Sequence, residues 1–176
     1  MKKIVVLLLV ALSFSSCEKD DICSAETDTT PQLVIEFFDS TLSTSKAVTK
    51  LSVKETGETY PIAFNNLLPI ENTDRFITSA AKIKIPLKID SESVKYEFKL
   101  NTGGDLLENT DYLEFNYALK TVYVSRACGF KTLFSLNPNS PTKTDITLPD
   151  NFWIIKITVI QPNILNENET HIKIYF

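Results

Sequence analysis

The stretch Lys82-Ile83-Lys84-Ile85-Pro86-Leu87-Lys88-Ile89-Asp90-Ser91-Glu92-Ser93-Val94-Lys95-Tyr96-Glu97-Phe98-Lys99-Leu100 decides the fold class. Ile83, Ile85, Leu87 and Ile89 alternate with Lys82, Lys84, Pro86 and Lys88. After Asp90 to Ser93, the residues Val94, Tyr96, Phe98 and Leu100 alternate with Lys95, Glu97 and Lys99. A period of two over both runs predicts two antiparallel strands joined as a hairpin, apolar side inward and charged side outward. Pro86 has no N–H to give to a ladder, so the first strand is expected at or near an edge. Its lysines suit that position, and the lysine row reads as a solvated edge rather than a ligand site.

The same period extends in both directions. Upstream, residues 32–39 form the first expected strand, with Leu33, Ile35 and Phe37 on one side. Residues 47–53 give a weaker strand, Gly57-Glu58 a turn, residues 59–64 a strand near an edge because of Pro61, and residues 75–78 a short one. Downstream, Gly103-Gly104 lies in a turn-rich loop. No Lys-Ser/Thr follows it, so a phosphate-cradling reading fails. Residues 112–119 and 121–125 alternate well enough to make one long strand with a bend, followed by residues 131–136 and 144–148. Residues 152–160 are apolar on both sides and are expected as a central strand, paired with a last strand at residues 171–176. His171 alternates outward from Ile172 and Ile174 and is expected to face solvent.

No stretch has apolar residues at helical spacing, so no long helix is expected. About ten short strands with turn signals predict an all-β fold, an antiparallel two-sheet β-sandwich, immunoglobulin-like or related. The Cys…Trp…Cys order of true immunoglobulin domains is absent, because Trp153 follows both Cys23 and Cys128.

The N-terminus carries a different message. Lys2 and Lys3 precede an apolar run at residues 4–12, too short for the roughly 20 residues a membrane span needs but right for a signal peptide. Ser15 and Ser16 sit directly before Cys17. The segment resembles a lipoprotein signal, with Phe14 where the lipobox usually has Leu, and this resemblance implies cleavage after residue 16 and lipid on the Cys17 thiol. Glu18-Lys19-Asp20-Asp21 is similar to the export address of Bacteroidetes lipoproteins, which implies an outer-membrane, surface-exposed anchor; a periplasm-facing anchor is the alternative. The expected organisation is a signal peptide at 1–16, an anchor and flexible tether at 17–31, and one domain at 32–176.

Cleavage there removes two of the 18 basic residues and none of the 22 acidic ones, moving the net charge from −4 to −6. With no basic cluster, such a chain gains little from nucleic acid, and no nucleic-acid partner is expected. About 155 residues from Ile22 onward suffice for one domain with a sizeable core.

Lipid on Cys17 leaves Cys23 and Cys128 as a pair in an oxidising compartment, where a disulfide is expected. The alternative makes Cys128 a nucleophile. That needs an activating base, His171 is the only histidine, and Cys23 would stay unexplained.

Residues 122–131, Val-Tyr-Val-Ser-Arg-Ala-Cys-Gly-Phe-Lys, taken with Cys23 and the terminal His171-Ile172-Lys173-Ile174-Tyr175, resemble an uncharacterised family of Bacteroidetes lipoproteins, domain of unknown function 6452. The resemblance runs over nearly the whole chain. It implies an envelope location and no assigned activity.

No metal site or cofactor is implied, since a zinc site lacks a second histidine and cysteine-rich spacing. No catalytic residue stands out. Paired carboxylates among Asp105, Glu108, Asp111 and Glu114 are read as loop and outward strand positions. Asp28-Thr29-Thr30 and Asp39-Ser40-Thr41 are similar to a Bacteroidetes O-glycosylation pattern. The expected function is a non-enzymatic binding or assembly module held at the outer membrane, contacting another envelope protein or a glycan, with Tyr112, Tyr117 and Tyr123 as a candidate aromatic platform. The alternative is a carboxylate-based hydrolase acting on glycans.

Overall fold

The computed structural model describes residues 22–24, 27, 29–145 and 151–176. Eleven strands are defined there: β1 (Leu33–Phe38), β2 (Leu51–Glu55), β3 (Ile77–Thr78), β4 (Lys82–Ile85), β5 (Ser93–Leu100), β6 (Asn109–Ser125), β7 (Gly129–Leu136), β8 (Thr142–Asp145), β9 (Lys156–Val159), β10 (Asn163–Ile164) and β11 (Ile172–Tyr175). The described helical structure is a 3-10 turn at Thr73–Phe76, capped by the Asn72 side chain on the Asp74 amide. The strands make two sheets, one in the order β4-β1-β11-β9 and the other β10-β7-β6-β5-β2-β3, with β8 also on β6. The all-β sandwich expected from the alternation is what forms. One pairing departs from the antiparallel pattern: the first and last strands, β1 and β11, run parallel.

The core lies between the sheets. Leu33, Ile35 and Phe37 of β1, Ile83 and Ile85 of β4, and Ile172 and Ile174 of β11 face Val53, Tyr96, Phe98, Phe115 and Tyr117 across it. These residues hold one face of each strand, as a period of two requires. Trp153 closes one end, its ring against Phe37 and Phe176 and its Nε1–H donating to the Phe98 carbonyl at 3.1 Å.

The stretch at residues 82–100 does not form a hairpin. β4 pairs with β1 in one sheet, and β5 pairs with β2 and β6 in the other. The chain between them crosses the sandwich, so the two apolar rows meet face to face instead of lying side by side. Alternation reports that one side of a strand is buried; it does not say in which sheet. The crossing segment is held by two tyrosines of the opposite sheet. Tyr96 Oη donates to the Pro86 carbonyl at 2.7 Å, and Tyr117 Oη accepts from the Lys88 amide at 2.9 Å and donates to its carbonyl at 3.2 Å. Burial raises the pKa of both phenols, that of Tyr117 to about 12. The edge expectation from Pro86 holds: β4 is an outer strand and stops one residue before the proline. Lys82 and Lys84 face solvent and pair with Glu36 and Glu167.

The long strand expected at residues 112–125 is β6, 17 residues with an irregularity between Tyr123 and Ser125. It serves two neighbourhoods in succession, β5 and β8 along its first half and β7 along its second. Other expectations need correction. Residues 59–64 make no strand. Ile62 donates to Val53, but Pro61 cannot donate and the segment leaves the sheet. Residues 75–78 are half 3-10 turn and half strand. The segment 152–160 is not central: β9 is the outer strand of its sheet, and its pairing with β11 is the part that holds. Ile155 and Ile160, which flank the strand at its two ends, are exposed, while Trp153 and Ile154, just before it, are buried.

Candidate functional site

The sequence-derived sites fall in several places. Cys17, Glu18, Lys19, Asp20 and Asp21 lie outside the described residues. Cys23 and Cys128 are joined by a disulfide with Cα atoms 4.9 Å apart, closing a separation of 105 residues. The bond fixes the N-terminal segment to the turn of the β6–β7 ribbon. That segment is tied again where the Thr132 amide donates to Thr30 Oγ1 at 3.0 Å and where Pro31 is buried.

His171 is fully buried, not solvent-facing. It stands one residue before β11 and joins three segments. Its Nδ1 accepts the Val34 amide at 2.9 Å, its own amide donates to the Val34 carbonyl, and its carbonyl accepts from Ile160 and Gln161. The acceptor role of Nδ1 places the ring proton on Nε2. Burial depresses its pKa, against weaker opposing effects of Glu169, the Asn166 backbone and Glu167. The alternation misplaced this residue because it stands ahead of the strand, where its ring turns onto the Val34 amide and lies close to Asn166, Glu167 and Glu169.

The four acidic residues do not gather. Asp111 is buried, and its Oδ2 accepts the Ile154 amide at 2.8 Å, which seats Trp153 and Ile154 under the sheet. Glu108 accepts from the Gly103 amide and lies 3.7 Å from Lys99. Asp105 lines a small surface hollow near Lys50, and Glu114 is on β6 opposite Lys95. The three tyrosines do not form one platform either. Tyr117 is core, Tyr112 lies under the Lys95 ammonium, and Tyr123 is exposed against Phe130. Among the described residues, no group of three or more His, Cys, Asp and Glu could hold a metal ion. No described helix is long and apolar enough to cross a membrane.

An apolar groove lies across residues 59–64 and 75–78, expected as two short strands, and the loop between them. It is built by the excursion between β2 and β3. Gly57 turns the chain with φ of 96°, a conformation glycine adopts without a Cβ clash. The chain then returns along the outer face of the sheet. Arg75 braces the loop: its guanidinium donates to the Asn66 and Leu68 carbonyls and to Asn66 Oδ1, while its own carbonyl accepts from Phe64 and Asn65. This holds Tyr60 and Phe76 stacked, centroids 5.9 Å apart and planes within 18°. Pro61, Ile70 and Ile77 complete an apolar wall, and Ser52, Glu71, Thr73 and Thr102 supply polar groups around a concavity of about 450 Å³. Tyr60 stays 56% exposed. Ser52 alternates with core-facing Leu51 and Val53, so the groove lies on the outer sheet face. No local period marks the site, because its rings come from residues 60 and 76 and meet only through tertiary structure. The Arg75-Phe76 pair beside an Asn- and Pro-rich loop was the signal available.

Fold and groove together define a small all-β sandwich presenting an aromatic-walled groove beside one sheet edge. The chain belongs to the family of unknown function DUF6452, whose model matches residues 67–176. The match takes in β3 to β11 and Cys128 but leaves β1, β2, Tyr60 and Cys23 outside, a shorter reach than the sequence resemblance had implied. No curated protein and no solved structure matches the chain.

Proposed function

We propose that this protein is a non-enzymatic binding module of the cell envelope, held at the outer membrane by lipid on Cys17 and facing outward. Its docking site is the Tyr60–Phe76 groove, and its partner is a glycan or the surface of a neighbouring envelope protein. The observation that carries the reading is the braced aromatic pair. Two stacked rings left partly open, with hydroxyls and one carboxylate at the rim, supply what a sugar ring needs: an apolar face to lie on and polar groups for its hydroxyls. The Arg75 contacts form the groove in advance, so little ordering is lost on binding.

Acidic side chains favour binding over hydrolysis. Glycosidases set two carboxyl groups about 5–10 Å apart across a bond. The Tyr60–Phe76 groove carries one, Glu71, the hollow at Asp105 carries that carboxylate alone, and Asp111 is committed to the Ile154 amide.

Titration of the wild type and a Tyr60→Ala variant against cell-surface oligosaccharides tests the reading, alongside crosslinking from intact cells. A ligand lost with Tyr60→Ala supports it. A ligand indifferent to that change, or the absence of both glycan and partner, refutes it. Location is tested by the mass of the mature N-terminus and by protease shaving of cells. In the shaving assay, a variant with Ala at Lys19, Asp20 and Asp21 becomes protected if those residues are the address.

A further inference from the structure

The face of the β6–β7 ribbon that forms core at the Tyr117–Leu136 rung is uncovered at the Tyr123–Phe130 rung. Register pairs Tyr117 with Leu136, Leu119 with Phe134, Thr121 with Thr132 and Tyr123 with Phe130, all on one face. Tyr117 and Phe134 are buried, but Tyr123 is 56% and Phe130 69% exposed, because the opposing sheet has ended. The two rings meet edge to face at 5.4 Å and make the last aromatic rung before the turn. Beside them, Ile22 is exposed on the other side of the disulfide.

Charge singles out the same ribbon. Between Glu114 and Asp145 the chain has no acidic residue, yet it carries Lys120, Arg126, Lys131 and Lys143 within a sequence of net charge −4. Covalent geometry adds a third observation. Cys23 lies six residue steps beyond Cys17, a reach of at most about 21 Å, and the disulfide passes that limit to the turn. The Thr30 tie to the Thr132 amide lies farther along, about 45 Å of extended chain from Cys17.

Resting on the lipid-anchor reading, we propose that the tip of the β6–β7 ribbon is a membrane-contacting surface. Tyr123 and Phe130 sit in the interfacial zone of an anionic bilayer with Arg126 of the turn near its phosphates, while Lys120 and Lys131, on the opposite face of the ribbon, add attraction at longer range. Aromatic rings favour the interface, and each basic group near an anionic surface adds to the attraction. The disulfide then works as a strap that keeps this tip, and no other surface of the domain, against the lipid.

The test uses full-length mature protein carrying Phe130→Trp, purified with its lipid and placed in phosphatidylethanolamine–phosphatidylglycerol vesicles with or without brominated chains. The wild type, whose single Trp153 is buried, gives the background. Brominated lipid is expected to cut the added emission roughly twofold, and pure phosphatidylcholine vesicles to weaken the effect. The intact mass of the same sample separates the two claims. A lipidated Cys17 with unquenched tryptophan overturns the tip contact, whether the rings sit in water or under a partner, and leaves the anchor standing. An unmodified Cys17 overturns both. Lipidated protein that also carries C23S/C128S is expected to lose most of the quenching, and unchanged quenching would overturn the strap.

Discussion

Replacing Cys23 and Cys128 together by serine opens a covalent loop of 105 residues and removes almost nothing from the core. Cys23 is exposed and Cys128 half-buried, so the change acts mainly on the unfolded chain. The chain-entropy relation puts a loop of this length at about 4.7 kcal/mol. Part of that is returned, because the freed segment ahead of Thr30 gains motion in the folded variant as well. A net loss of about 3–4 kcal/mol is therefore expected, which for a domain of this size is a fall in Tm of roughly 6–16 °C. Urea melts of the oxidised wild type, the wild type reduced by dithiothreitol and C23S/C128S would measure it. The last two should coincide, with the midpoint well below that of the oxidised protein. A double variant within about 1 kcal/mol of the oxidised wild type would refute the reasoning, since the bond would then constrain a segment that was never free to wander.

Tyr117→Phe leaves the Lys88 amide and carbonyl without their partner across the sandwich, and should cost about 1–2 kcal/mol in a urea melt; a loss near zero would mean that water replaces the hydroxyl. His171 is held neutral by burial, so its folded pKa lies below the ordinary value of about 6.5. Its contribution is complete above that value and is lost as pH falls through it, with a slope of at most about 1.4 kcal/mol per pH unit. Urea midpoints between pH 8 and 5 should decline for the wild type and flatten in His171→Gln, and a wild-type midpoint constant over that range would count against the burial argument. Asp39, pulled to a pKa of about 2 by the Leu42 and Thr41 amides and by Lys46, titrates in a separate, more acidic window and does not interfere. Tyr60→Ala should abolish binding in the groove while changing stability by no more than about 0.5 kcal/mol, since the ring is exposed. A large drop in Tm would instead make the stacked pair a structural brace.

What the sequence made legible was each strand's two-sidedness. The rows Leu33-Ile35-Phe37, Ile83-Ile85 and Tyr96-Phe98 were read correctly as core, because alternation is a local property that burial enforces. Pairing was not legible. Residues 82–100 look like a hairpin, but β4 and β5 pair in different sheets, and the tyrosine hydroxyls hold residues 86–88 where the chain crosses. His171 and β9 failed for a related reason. A strand's apolar content does not reveal how many neighbours it has, and the parallel β1–β11 contact joins residues 137 apart. The cysteine pair was legible once the N-terminus was read as an export signal with Cys17 set aside, since that expectation leaves Cys23 and Cys128 to each other, and the two are bonded. The groove was not, because nothing in a linear pattern brings residue 60 to residue 76.

The disulfide also redraws the path that tension would take. A pull on the N-terminus enters the domain at Cys23 and leaves through Cys128, so residues 24–127 hang outside the line of force. Only the 48 residues after Cys128 could be drawn out by a load at the far end, unless the sulfur bond is first reduced. β1 to β5 and the groove they carry are thereby shielded from such a load. Mechanical wear would fall on β7 and the strands that follow it.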